Sequence, residues 1–241
     1  MAALLKLENV SKSFGSVTAA NDFSMDLEAG EALGIIGPNG AGKSTLFNLI
    51  TGGVRPDSGR VFFDGVDITQ APPHRRCAAG IGRSYQIPHP FAKMTVFENL
   101  LVGAAFGARR AERECYDGCV AILARTGLLP KANTRAGTLT LLERKRLELA
   151  RALATDPRVL LLDEIAGGLT EHECAELVET IRAIHAAGTS IVWIEHIVHA
   201  LLAVVGRLIV VNFGAKLDDG EPRRVMENPA VQEVYMGISA E

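Results

Sequence analysis

The sequence predicts an α/β fold organised around a phosphate-binding loop, with an N-terminal antiparallel β-subdomain and an inserted α-helical lobe. Three observations predict it. Gly37-Pro38-Asn39-Gly40-Ala41-Gly42-Lys43-Ser44 fits the pattern G-x-x-x-x-G-K-[ST], and Thr45 follows it. The apolar run Ala32-Leu33-Gly34-Ile35-Ile36 before the loop reads as a buried strand, and residues 46–50 after it read as the first turns of a helix. Farther on, Val159-Leu160-Leu161-Leu162 reads as a central parallel strand buried on both faces, and it ends in Asp163-Glu164.

Taken in order, residues 4–10 alternate apolar and polar as a strand does, and 11–15 read as a turn carrying Phe14. A second strand is predicted over 24–27, and a hairpin around 59–65. Pro72-Pro73 opens a short helix ending near Gly80, and 81–85 returns as a strand with Gln86 at its end. Ile87-Pro88-His89-Pro90 is incompatible with regular structure. Helical periodicity covers 95–107, where Thr95 and Glu98 form a capping box, and then 110–128. A charged helix is predicted over 140–154, a helix over 171–187 and a fully apolar strand over 190–194 leading to Glu195-His196. Strands over 207–212 and 216–219 and two short helices finish the chain. The expectation is one domain over 1–241, its core formed by 1–86 and 156–241 and its helical lobe by 87–155.

Composition bounds the function. A length of 241 residues with 48% hydrophobic and 22% charged residues suits one soluble α/β domain with a full core. A net charge of −3 supplies no basic field for nucleic acid, so no nucleic-acid partner is expected. The N-terminal residues lack the charged and apolar regions of a secretory signal, and no apolar run approaches the ~20 residues of a membrane span. The four cysteines form no disulfide framework; Cys115 and Cys119, one helical turn apart, read as two small buried side chains rather than a metal clip.

The loop dictates the chemistry. Its glycines allow positive φ, so that successive N–H groups converge on a polyanion at a helix N-terminus. Lys43 adds a point charge for the terminal phosphates, and the Ser44 hydroxyl suits Mg²⁺. The chain is therefore expected to bind a nucleoside triphosphate. Asp163 and Glu164 fall at the carboxyl end of a strand, where α/β sheets bind ligands. A lone His at a strand end is more often structural, but His196 follows a strand expected to neighbour the acidic one. On its own Phe14 reads first as core, though a flat ring just before the loop strand could instead stack on a base.

Together these parts resemble the ATP-binding cassette ATPases that drive membrane transporters, over essentially the whole chain. The resemblance implies a phosphate-loop NTPase (RecA-like) core that binds ATP and Mg²⁺. It implies that residues 37–45 hold the phosphates, that Asp163 and Ser44 organise Mg²⁺, and that Glu164 orients the attacking water. It further implies that Gln86 helps bind Mg²⁺ and senses the membrane partner, that His196 contacts the γ-phosphate, and that Phe14 stacks on adenine. The tail, with Gly220-Glu221-Pro222, Asn228-Pro229 and Tyr235-Met236-Gly237, is similar to ATPases of branched-chain amino acid importers; lipopolysaccharide-export ATPases share it. Implied partners are transmembrane permease subunits, a second ATPase subunit in a homo- or heterodimer and, indirectly, a periplasmic solute-binding protein. The implied location is cytoplasmic, peripheral on the inner face of the cell membrane. A phosphate-loop kinase and a non-transport cassette ATPase are the competing classes.

Two features depart from that family. Its signature loop, usually Leu-Ser-Gly-Gly-Gln, is Leu139-Thr140-Leu141-Leu142-Glu143 here. Thr140 keeps a hydroxyl for phosphate, the leucines hinder close backbone approach, and Glu143 is expected to repel phosphate. Ile165 replaces a proline after Glu164, and Thr170 stands where an aspartate often ends the subunit-contact loop.

Overall fold

Strands β1 (Leu5–Phe14) and β2 (Val17–Leu27) pair antiparallel from Leu5↔Leu27 to Phe14↔Val17. A computed structural model describes residues 3–236 of the chain; Met1, Ala2 and the Gly237 of the tail motif lie outside the described residues. The chain folds as two units, residues 1–73 with 190–241, and residues 74–189. In the first, β3 (Ala32–Ile36) leads through the glycine loop into α1 (Lys43–Thr51). The hairpin of β4 (Ser58–Phe63) and β5 (Val66–Asp67) then extends the antiparallel sheet in the order β2-β1-β4-β5. Both opening strands outrun their sequence alternation: β1 continues through the predicted turn to Phe14, and β2 begins at Val17. The register shifts three times between Leu7 and Ser13, and Asn9 and Asp22 take φ of 48° and 47°. Each irregularity flips which side chains face inward, so a strict period of two breaks while the strand goes on.

The second unit starts with α2 (Pro73–Ala79) and β6 (Ile81–Ser84). After the irregular segment 85–94 come α3 (Val96–Val102), α4 (Tyr116–Arg125), α5 (Leu141–Ala154), β7 (Val159–Asp163) and α6 (Glu171–Ala186). Strand β6 runs parallel to β7, with Ile81 beside Val159 and Ser84 beside Leu162. Thr95 and Glu98 form the expected capping box of α3. The helical run to 107 changes hydrogen-bond pattern on the way, closing as a π turn at Gly103–Gly107. There a Cβ on Gly103 would sit 2.9 Å from the Arg151 carbonyl oxygen, so two backbones approach closely. The helix predicted over 110–128 is shorter, a 3₁₀ turn at Glu112–Glu114 followed by α4. Cys115 and Cys119 pack with Val96, Leu100, Leu123 and Leu147 in one apolar cluster. Burial, and next the neighbouring Cys115, push the Cys119 thiol up to about 11.

The chain re-enters the first unit at β8 (Ser190–Ile194), followed by α7 (Val198–Leu202), β9 (Arg207–Asn212), β10 (Ala215–Gly220), α8 (Pro222–Glu227) and α9 (Pro229–Val231). Strand β3 lies between β8 and β9, parallel to both, and all five of its residues are buried. Strand β10 closes this edge antiparallel to β9. Among the described residues no helix is long and apolar enough to cross a membrane. Leu161 is fully buried in β7, so Leu161→Ala should cost about 2–5 kcal/mol of stability. Urea unfolding should show a lower midpoint with an unchanged slope.

Candidate functional site

The glycine loop sits at the carboxyl end of β3 and is shaped by close backbone contacts within the first unit. A Cβ on Gly37 would lie 2.1 Å from the Val211 carbonyl oxygen, and one on Gly42 2.0 Å from that of Ala19. Gly42 also has φ of 103°, a region that side chains avoid. The turn after β9 holds the loop from below, its Gly214 N–H donating to the Ala41 carbonyl at 2.8 Å. Lys43 is buried, and its ammonium donates to the carbonyls of Gly37 (2.7 Å) and Pro38 (2.9 Å). Asn39, Gly40 and Ser44 are exposed and Thr45 is half-buried. Helix α1 carries no side-chain cap, which leaves its first N–H groups aimed into the loop. Loop, cation and helix N-terminus together form a polyanion cradle.

Two more expected residues share this unit. Phe14 ends β1 half exposed, at 50%, with the Lys12 ammonium 5.4 Å from its ring centre. It is not a core residue. His196 follows β8, whose Ile194 lies beside Ile35 of β3, so the chain leaves that strand next to the start of the loop. Glu195 is buried and its carboxylate accepts the His196 backbone N–H at 2.9 Å.

Gln86, Asp163 and Glu164 belong to the second unit. Asp163 is 5% exposed, and Arg83 on the neighbouring strand donates to its Oδ2 at 2.7 Å. Arg83 also lies 4.8 Å from the Tyr85 ring. A buried carboxylate needs such a partner. Glu164 is half-buried, and its backbone is left-handed with φ of 47°, unusual for a non-glycine residue. The Gln86 amide donates to Glu164 Oε2 at 2.5 Å. The segment carrying Gln86 and the acidic strand end therefore meet, although 78 positions separate them in sequence.

Thr140 is the N-cap of α5. Its Oγ1 accepts the Glu143 N–H at 3.3 Å, while Glu143 Oε2 accepts the Thr140 N–H at 2.9 Å. Lys131 adds an ion pair to Glu143 at 3.3 Å. The carboxylate expected to repel phosphate is thus turned back onto its own helix start, and the Thr140 N–H foremost holds it below the usual glutamate range. Leu141 stands 46% exposed in the first turn. Thr170 caps α6 in the same way, with Glu173. Sequence reasoning missed Arg83 and the use of Glu143 as a cap. The second had a visible signal, the T-x-x-E spacing, whereas Arg83 had none, its partner lying 80 residues away.

Residues 20–167 match the family described as ABC transporter. The chain is 36% identical over 249 residues to the high-affinity branched-chain amino acid transport ATP-binding protein LivG of Escherichia coli K12, spanning 97% of this chain and 98% of LivG. It is 34% identical over 251 residues to BraF of Pseudomonas aeruginosa, described in the same words, with the same coverage. It is also 34% identical over 238 residues to the lipopolysaccharide export system ATP-binding protein LptB of Acidithiobacillus ferridurans, covering 98% of each. A nucleotide-free ATP-binding cassette from an ABC transporter superposes with a TM-score of 0.90 at 32% identity, covering 98% of this chain and all of that one. An ADP-bound cassette superposes equally well at 33% identity, covering 99% of this chain and 100% of that one.

The cap of α5 makes a prediction about pH. Because Glu143 titrates lower in the fold than in the unfolded chain, its stabilisation is present above the ordinary glutamate range and lost as pH falls through the folded value. Glu143→Ala should cost about 1 kcal/mol at neutral pH. That gap should narrow as pH falls below the ordinary glutamate range, as read from urea unfolding of both proteins.

Proposed function

Because the chain belongs to the ABC transporter family of ATP-binding subunits, we propose that it hydrolyses ATP to power uptake of branched-chain or related amino acids or amides through permease subunits at the inner face of the cell membrane. ATP hydrolysis by a transporter ATPase follows from the family. The substrate class rests on the likeness to LivG and BraF. The observation that carries the site is the bond from Gln86 to Glu164, which ties the amide loop to the carboxylate ending β7. Residues 37–45 grip the phosphates through backbone N–H groups, and Lys43 offsets charge on the terminal ones. Glu164 aims the attacking water, His196 contacts the γ-phosphate, Phe14 stacks on adenine, and Thr140 offers its hydroxyl to a partner's nucleotide. Phosphoryl transfer needs such positioning and charge stabilisation more than covalent chemistry.

The donors suit Mg²⁺: the exposed Ser44 hydroxyl, the Asp163 carboxylate with one oxygen held by Arg83, and the Gln86 amide are all hard oxygen ligands. When bound, Mg²⁺ would supply positive charge to the phosphate oxygens. Residues 87–155 act as a helical lobe, and 86–94 as the segment that docks on the permeases. With leucines in the first turn of α5 and Glu143 committed to its cap, the second ATPase is a different subunit with an intact signature. Robust, cooperative ATPase activity of the purified chain alone would overturn that pairing.

A second reading has its own observation. The likeness to LptB is nearly as strong, which favours lipopolysaccharide export. Deleting the gene should abolish uptake of labelled leucine and leave outer-membrane lipopolysaccharide unchanged; the opposite result selects export. In the assembled transporter, Glu164→Gln should keep ATP binding and lower turnover by about 10²–10⁴-fold. Lys43→Ala should weaken ATP binding by at least about tenfold in a titration.

A further inference from the structure

The segment between Gln86 and α3 has no helix or strand, yet its main chain is tied down along its length. Arg151 of α5 donates to the His89 carbonyl at 2.9 Å, and its guanidinium lies 5.2 Å from the Phe91 ring. The Ala92 carbonyl accepts from the Gly137 N–H (3.0 Å) and the Met94 carbonyl from the Ala136 N–H (2.9 Å), while Thr95 bridges antiparallel to Arg135. Residues 92–95 and 135–137 thus form a short ladder, and the second of these strips leads directly into Leu139 and Thr140.

Asn99 of α3 is the anchor of this arrangement. It is fully buried, at 0% exposure. Its Oδ1 accepts the Phe91 N–H at 2.8 Å, and its Nδ2 donates to the carbonyls of Phe91 (3.2 Å) and Thr95 (2.8 Å). One carboxamide therefore satisfies both the main-chain donor and the main-chain acceptor of a single loop residue. Burying an amide costs free energy unless it is fully bonded, and a leucine would fill the space without that demand. The amide is there for the loop.

We propose that Asn99 is a positioning residue that locks the main chain of Phe91, so that the exposed Ile87 and Phe91 side chains form a rigid ridge whose displacement passes through the ladder to Thr140 and α5. The inference rests on the reading of 86–94 as the docking segment. It assigns to the lobe a direct hydrogen-bonded route from that segment to the cap of α5, carried by main chain rather than by side-chain packing.

The test compares wild type, Asn99→Asp, Asn99→Leu and, as a stability control, Leu128→Ala in the apolar cluster that holds Val96 and Leu100 of α3. Each is purified alone and in complex with the permease subunits and the second ATPase. Asn99→Asp is isosteric and keeps the acceptor while losing both donor bonds, so it carries the test even where Asn99→Leu fails to fold. Basal ATPase and ATP affinity of the free chain should stay within about twofold of wild type, while permease stimulation falls about tenfold in both Asn99 variants. Leu128→Ala should lower the melting temperature and keep its stimulation. Full stimulation in Asn99→Asp, or an equal loss in Leu128→Ala, overturns the positioning role. A wild type that hydrolyses ATP but gains nothing from its permeases overturns the docking reading instead, and this inference with it.

Discussion

The phosphate loop exists because two carbonyl oxygens, of Val211 and Ala19, are allowed to come within the radius of an absent methyl group. Those contacts press residues 37 and 42 flush against β9 and β2, and no side chain other than hydrogen fits there. The Gly214 N–H bonded to Ala41 adds support on the same side. Strand β3, buried between two parallel neighbours, then has one way to deliver the loop: from its carboxyl end into the N-terminus of α1. Lys43 points back over the loop for the same reason, since its stem is buried and its ammonium finds carbonyls of residues 37 and 38.

The acidic strand end follows a different logic, that of charge in a low-dielectric place. Asp163 and Glu164 are adjacent in sequence but stand in unlike surroundings. Asp163 is buried and paired with Arg83 across a strand, whereas Glu164 turns outward on a left-handed residue and takes an amide from Gln86. An ion pair compensates the first carboxylate for lost water, and a neutral donor orients the second without neutralising it. A left-handed glutamate costs of order 1 kcal/mol, and such backbone strain persists where the surrounding structure over-determines it. Neighbouring carboxylates thereby stand in separate environments, one ion-paired and one bonded to a neutral amide.

The start of α5 shows how one residue type serves fold and function at once. Thr140 accepts one orphan N–H, that of Glu143, at the start of a helix that contributes Leu147, Ala150 and Ala154 to an apolar cluster. Its partner Glu143 replaces a glutamine of the related signature and completes the cap instead of facing a ligand. The departure from the family pattern therefore has a local structural use. The same spacing recurs at Thr95 and Thr170, so three helices of this unit begin with one device.

By itself the sequence determined the chemistry and the central strands. The loop pattern, the apolar runs of β3, β7 and β8 and the Thr95–Glu98 cap are local signals, each complete within a few residues, and the structure has them where they are expected, while the same T-x-x-E spacing at Thr140 and Thr170 was there to be read as caps and was not. It was poorer where local periodicity is broken by distant pairing: the bulged β1 and β2, and the π turn set by the Arg151 backbone against Gly103. Arg83 and Asn99 look like ordinary polar residues of a strand and a helix. What they do depends on Asp163, 80 positions on, and on the main chain of an irregular loop. Only tertiary structure decides such things, because a side chain's spacing says which face it occupies and never which backbone will arrive there.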